Sequence, residues 1–274
     1  MPSEAVPTQK QIDENNDILD SVLGREGAHV TAVTKDNFEN GYFWELYRDL
    51  ERQFENFLEY VPYLEGNEQT YSFKLLNLIL SIGGHVDSAL KEMIRYKLFP
   101  RDEQIDEIKS RLQRWKTAWV SGVKPDRVNF VYMQELFDVF ETKYGLSEKT
   151  VIYKVLPKRQ KAKPFNEVKN KPTKGWWGIY NGLKHDVAVA LKEANLSNTW
   201  DALGCAFLLN VVHQPGLDRL WEYNLLRIDS KGQGVGKSAR EQGINQSHLW
   251  DIGAKGTTMP LFIETALLKY NYNQ

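Results

Sequence analysis

A single cysteine among 274 residues excludes an intrachain disulfide. That residue, Cys205, stands in the apolar run Ala202-Leu203-Gly204-Cys205-Ala206-Phe207 and reads as a small buried hydrophobe, not a nucleophile. No stretch approaches the roughly 18 consecutive apolar residues of a membrane span, and the mean hydropathy of −0.51 agrees. Neither sign of charge dominates. Lys and Arg total 35, Asp and Glu 36, and the net charge is −1, so any basic site must be local. The five histidines, His29, His85, His185, His213 and His248, are scattered and give no metal-ligand spacing. No nucleophile elbow and no fixed-period repeat occur. No metal and no cofactor are expected. The first residues lead into polar sequence, not a signal core. These absences leave a cytoplasmic protein with no membrane partner, large enough to hold a core without staples.

What is present is helical periodicity. Residues 1–38 are polar and read as a tail; residues 39–274 read as a single helical domain. Phe43, Tyr47, Leu50, Phe54, Phe57 and Val61 alternate steps of four and three, which places them on one stripe of a helix ended or kinked by Pro62. A second helix starts near Thr70 and carries Phe73, Leu76, Leu80, Gly83, Val86 or Leu90, and Ile94. Two mid-helix glycines, Gly83 and Gly84, each cost about 1 kcal/mol relative to alanine, and close approach of another helix is the simplest reason for them. Asp102 is a candidate N-cap for a third helix with Ile105, Ile108, Leu112, Trp115 and Trp119 on one face. Phe130, Met133, Phe137 and Phe140 mark a fourth, ending near Gly145.

Val151 to Leu156 is short and β-branched, a lone strand or an extended linker. From 158 to 174 the chain turns basic, with Lys158, Arg159, Lys161, Lys163, Lys169, Lys171 and Lys174 against Glu167 alone. Pro164 and Pro172 mark it as a loop. Such a run can hold an RNA backbone, and Trp176 and Trp177 beyond it can offer stacking surfaces; a solvated loop and two core tryptophans are the plainer alternative. Helices resume at Trp177 and again from Trp200 to about Val212, with Asn195 or Ser197 between them. Leu217 to Ile228 reads as a short helix or turn, residues 229–257 as a long glycine-rich loop, and Leu261 to Tyr270 as a terminal helix with Pro260 in its first turn. The segment Gly232-Gln-Gly-Val-Gly236-Lys237-Ser238 is not a phosphate loop, because Lys231 stands where the first glycine belongs. The fold class is therefore all-α, a bundle of about seven to nine helices with one glycine-rich excursion.

The most informative run is Trp177-x-x-Tyr180-Asn181-x-x-Lys184-His185-Asp186. With the earlier Ser81-Ile-Gly-Gly-His85-Val-Asp87-x-x-x-Lys91 it resembles the HEPN-like helical superfamily. The likeness covers residues 41–98 and 175–213, with 99–174 as an insert and 214–274 as an extension. It implies a helical bundle, a homodimer across the motif helices, and in nuclease members a metal-independent ribonuclease site built from an arginine and a histidine. His185 matches that histidine and Asn181 a polar residue between the two. Gly178 to Asn181 fill the arginine's positions, and Lys184 points about 100° from His185 on a helix. The resemblance thus names His185, Asn181 and Lys184 as catalytic candidates, with Asp87, Lys91 and Tyr180 supporting.

Read by spacing alone, Asn181, Lys184 and His185 share one side at i, i+3 and i+4, and Asp87 and Lys91 are placed for an ion pair. The Asp87 helix is expected to pack on the motif helix, bringing Asp87 near Lys184 or His185. Two readings follow. One is an RNA-acting module centred on Asn181, Lys184 and His185. The other is a non-catalytic interaction or scaffold module in which those residues form a buried polar network.

Overall fold

In the computed structural model the described residues are 42–95, 103–124, 126–154, 160–170, 175–212, 219–228, 238–243, 261–265 and 267–271. They form helices α1 (Tyr42–Leu58), α2 (Phe73–Arg95), α3 (Glu103–Val120), α4 (Met133–Tyr144), α5 (Pro164–Asn170), α6 (Gly175–His185), α7 (Val187–Ala190) and α8 (Leu196–Val212). The strands are β1 (Val151–Tyr153), β2 (Gln160–Ala162), β3 (Leu226–Ile228), β4 (Leu261–Glu264) and β5 (Leu268–Asn271). Among the described residues no helix is long and apolar enough to cross a membrane. The expected tail, Asp102 and most of the glycine-rich loop lie outside the described residues.

The helical bundle expected from periodicity is present, with α2 at its centre. Helices α1, α3, α6 and α8 all pack on it. Its burial extends well beyond one stripe, taking in Leu75, Leu78, Ile79, Ile82, Val86, Ala89, Leu90 and Met93. Phe73 and Leu80, placed on the core stripe by spacing, are exposed and half-buried. The Ser72 hydroxyl accepts the Leu75 N–H at 3.2 Å and caps the helix. Helix α8 is enclosed on nearly every side, and Asn195 caps it by accepting from Asn198 N–H at 3.0 Å. Trp200 sits at the junction, stacked on Tyr153 at 4.9 Å and edge-on to Phe54 at 5.0 Å. Burying such a ring stabilises the fold by roughly 1.5–3 kcal/mol.

The bundle is not purely helical. Five antiparallel strands form one sheet in the order β2-β1-β5-β4-β3. Val151–Tyr153 is thus neither lone nor a linker. It pairs with β2 on one side and β5 on the other. The terminal segment expected as a helix is instead the β4–β5 hairpin. The deciding interaction is non-local. Glu51, buried on α1, accepts the Leu267 N–H at 3.0 Å and the hydroxyls of Tyr47 and Thr265. Thr265 in turn accepts the Leu268 N–H at 3.2 Å. A buried carboxylate that needs several donors fixes a turn there, and no local periodicity reveals that demand. Burial raises the Glu51 pKa above the usual carboxylate range, against the donors that lower it.

The basic run is also not simply a loop. Pro164 opens α5, where its missing N–H is not needed, and Gln160–Ala162 forms edge strand β2. Within the glycine-rich loop, Ser238 bridges to Arg227 and both Ser238 and Ala239 are buried.

Candidate nucleic-acid interface

The apolar stripe of α3 divides in two. Ile105, Ile108 and Leu112 are buried in the core. The same stripe continues through Trp115, half-buried, to Trp119, which is 72% exposed. A helix whose apolar face outruns its core leaves part of that face uncovered, here Trp119 above all. That face forms one wall of a groove of about 670 Å³. Asp87, Lys91 and Arg95 of α2 form a second wall, and Trp177, Asn181 and Lys184 of α6 a third. Phe130, from the segment before α4, and Met133, at the start of α4, close it.

That segment is held to α3 by charge-assisted bonds. Arg111 grips Glu135 with two nitrogens, Nη1 to Oε1 at 3.2 Å and Nη2 to Oε2 at 2.7 Å, and also donates to the Phe130 carbonyl at 3.2 Å. Arg114 donates to Asn129 Oδ1 at 2.7 Å. Phe130 then meets Trp115 edge-on at 5.3 Å and Tyr132 at 5.0 Å. The groove thus carries an aromatic ladder with four cations, Lys91, Arg95, Lys116 and Lys184, against Asp87 alone. Lys91 is bonded to Asp87 at 2.8 Å, as the i, i+4 spacing expects, and Arg95 is paired with Glu92.

The expected packing of the motif helix on α2 occurs, and one of the two glycines explains it. A Cβ on Gly83 would lie 2.3 Å from the Tyr180 ring, whereas one on Gly84 would meet nothing within 4 Å. Gly83 alone admits α6. Tyr180 is buried there, and the Lys184 ammonium lies 3.8 Å above its ring centroid. Burial pushes the Lys184 pKa below the ordinary lysine value and Lys91 adds to this, while Asp87 pulls the other way. Burial, then the Asp87 charge, raises the Tyr180 phenol. Asp87 and Lys184 line the same groove.

The sequence-named residues separate in space. Asn181, half-buried, and Lys184, exposed, line the groove, while His185, exposed at the last position of α6, does not. In the basic run, Lys163 is bonded to Glu148 at 2.6 Å and Lys169 to Glu141 at 2.9 Å. The Glu141 carboxylate raises the Lys169 pKa. Lys161 is exposed on β2. Lys158, Arg159, Lys171 and Lys174 lie outside the described residues. Among the described residues, carboxylates distant in sequence thus offset two of the run's lysines. Trp176 and Trp177 are buried and offer no free stacking face; the available rings are Trp115, Trp119 and Phe130. The missed residues, Trp115, Lys116, Trp119 and Arg95, had one sequence signal, a tryptophan-rich continuation of the α3 stripe.

Among the described residues no group of three or more His, Cys, Asp or Glu side chains is arranged to hold a metal. No family model matches this chain, and no curated protein or solved structure is significantly similar to it.

Proposed function

We propose that the groove between α2, α3 and α6 binds single-stranded RNA. The observation that carries this reading is the pairing of open aromatic faces, Trp119 above all, with Lys116, Lys184 and Lys91 in one cleft. Stacked bases are tolerant of sequence and contribute about 1–3 kcal/mol each, while lysines track the phosphates. A 670 Å³ groove is large enough for a stacked dinucleotide step.

Binding, not cleavage, is the activity the geometry supports best. The HEPN-like resemblance places His185 as the proton-transferring group, yet that imidazole is off the groove lining and no arginine precedes it within six residues. A homodimer across α6, also implied by that resemblance, would set two grooves side by side. Light scattering across a concentration series tests it.

The test of binding is fluorescence anisotropy with a labelled ten-nucleotide oligouridylate in chelator. Wild type is expected to bind, Trp119→Ala to bind about tenfold or more weakly, and the matched duplex to compete poorly. RNA length after incubation reports cleavage separately, with His185→Ala beside wild type. Equal affinity of wild type and Trp119→Ala removes the RNA reading. A second reading has its own observation. Val120 beside Trp119, and Val123, Val128 and Tyr132 in the segment that follows, are all exposed, as a protein-docking face would be. It gains if Trp119→Ala leaves RNA binding intact.

A further inference from the structure

The open side of the α2–α3–α6 groove is apolar and cationic at once. Trp119 and Val120 on its lining are both exposed. Of its four cations, Lys91 is bonded to Asp87 and Arg95 to Glu92. Lys116 and Lys184 are exposed, and neither has a salt bridge among the described residues. Such a face suits a partner that brings carboxylates and apolar side chains together.

One segment of this same chain has that make-up. Residues 1–41 hold eight acidic and three basic residues, a net −5 in a chain of net −1, so the remainder is positive. The acid is densest in residues 11–23, which carry Asp13, Glu14, Asp17 and Asp20 and no lysine or arginine. Ile18 and Leu19 stand between the last two acids. The segment lies outside the described residues.

Its point of attachment favours the pairing. The described chain begins at Tyr42, the first residue of α1. Tyr42 borders a second cavity, of about 480 Å³ between α1 and α2, whose lining includes Ser88 and Glu92. Asp87 and Lys91, one position before each of these, line the groove. The chain thus enters on the neighbouring flank of α2, and a helix with its side chains is only about 10–12 Å wide. Residues 24–41 join the acidic segment to Tyr42, and that length of chain spans up to roughly 60 Å. A tethered partner competes at a local concentration of about 1 mM, so an intrinsic affinity as weak as ~0.1 mM masks the groove about tenfold.

We propose that residues 11–23 dock in the groove of their own chain, carboxylates on Lys116 and Lys184 and apolar side chains on Trp119, and so compete with RNA. The competition rests on the RNA reading of the groove; the docking does not. Zero-length carbodiimide crosslinking of the full chain without RNA tests the docking. Mass spectrometry is expected to find Lys116 or Lys184 joined to the carboxylates of residues 13–20, at a yield per chain that dilution leaves unchanged. The variant Asp13→Asn, Glu14→Gln, Asp17→Asn, Asp20→Asn tests the competition. It is expected to bind the labelled oligouridylate about tenfold more tightly than wild type, by a margin that narrows as salt rises. A control variant, Glu4→Gln, Glu26→Gln, Asp36→Asn, Glu39→Gln, removes the same charge elsewhere in residues 1–41 and is expected to gain far less. Absence of those crosslinks, or a yield that rises with protein concentration as docking into a second copy requires, overturns the proposal. Equal RNA affinity of all three proteins, or an equal gain by both variants, overturns the competition and leaves the RNA reading standing. Crosslinks without RNA binding by any of the three uphold the docking and remove the RNA reading.

Discussion

Two clefts open on helix α2, and they differ in almost every physical respect. The one shared with α3 and α6 is cationic, aromatic and rimmed by exposed tryptophan. The other, shared with α1, is acidic, lined by hydroxyls, and floored by a buried neutral histidine. The stripe Asp87-Lys91-Arg95 and the stripe Ser88-Glu92 are offset by one residue, about 100° around the axis. One helix can therefore present opposite charge to two neighbours. Arg95 joins the two, since it faces the cationic groove while its salt bridge reaches Glu92 in the acidic one.

The largest expected effect breaks the comparison on the acidic side. His85 titrates at about 4 when folded, below the roughly 6.5 of an unfolded histidine, so the unfolded chain takes up the proton first. Its contribution is intact above pH ~6.5 and falls as pH drops toward 4, by about 3 kcal/mol across the window. Melting temperature against pH is expected to fall more steeply for wild type than for His85→Phe over that range. Parallel curves would mean that His85 is not held neutral.

Next come the two glycines between the clefts. Gly83→Ala drives a methyl into the Tyr180 ring and is expected to destabilise by about 1–3 kcal/mol, less the ~1 kcal/mol alanine returns in helix preference. Gly84→Ala meets open space and is expected to stabilise by about 0.5–1 kcal/mol. Chemical denaturation of the pair checks the sign. Two changes of equal sign would dissolve the assignment of α6 to the Gly83 side. The smallest effect sharpens the cationic side. Lys116→Ala is expected to reduce the salt slope of RNA binding by about 0.7, the share of one phosphate contact. The same change at Lys163, already bonded to Glu148, is expected to leave the slope unchanged.

Helical periodicity made the bundle legible, because α1 and α3 show a core stripe that repeats every three or four residues, from Phe43 to Phe57 and from Ile105 to Leu112. The sheet was hidden for a physical reason. Its strands are three or four residues long, too short for alternation to declare itself, and its hairpin depends on a carboxylate more than two hundred residues away. Asn181 and Lys184 were legible as a pair one turn apart. The groove they line was not, because Trp119 reads as core until the structure leaves it 72% exposed. The basic run misled in the opposite way. Counted along the chain it is nearly all positive, but Glu141 and Glu148 neutralise two of its lysines in space.

The most direct measurement of the central claim is photocrosslinking of a thiouridine-substituted single-stranded RNA to the whole protein, with crosslinked peptides located by mass spectrometry. The groove reading predicts adducts on the peptides carrying Trp115, Trp119 and Phe130, lost on competition with unlabelled RNA. Crosslinks confined to residues 158–174, or none above the level of a duplex control, would contradict it.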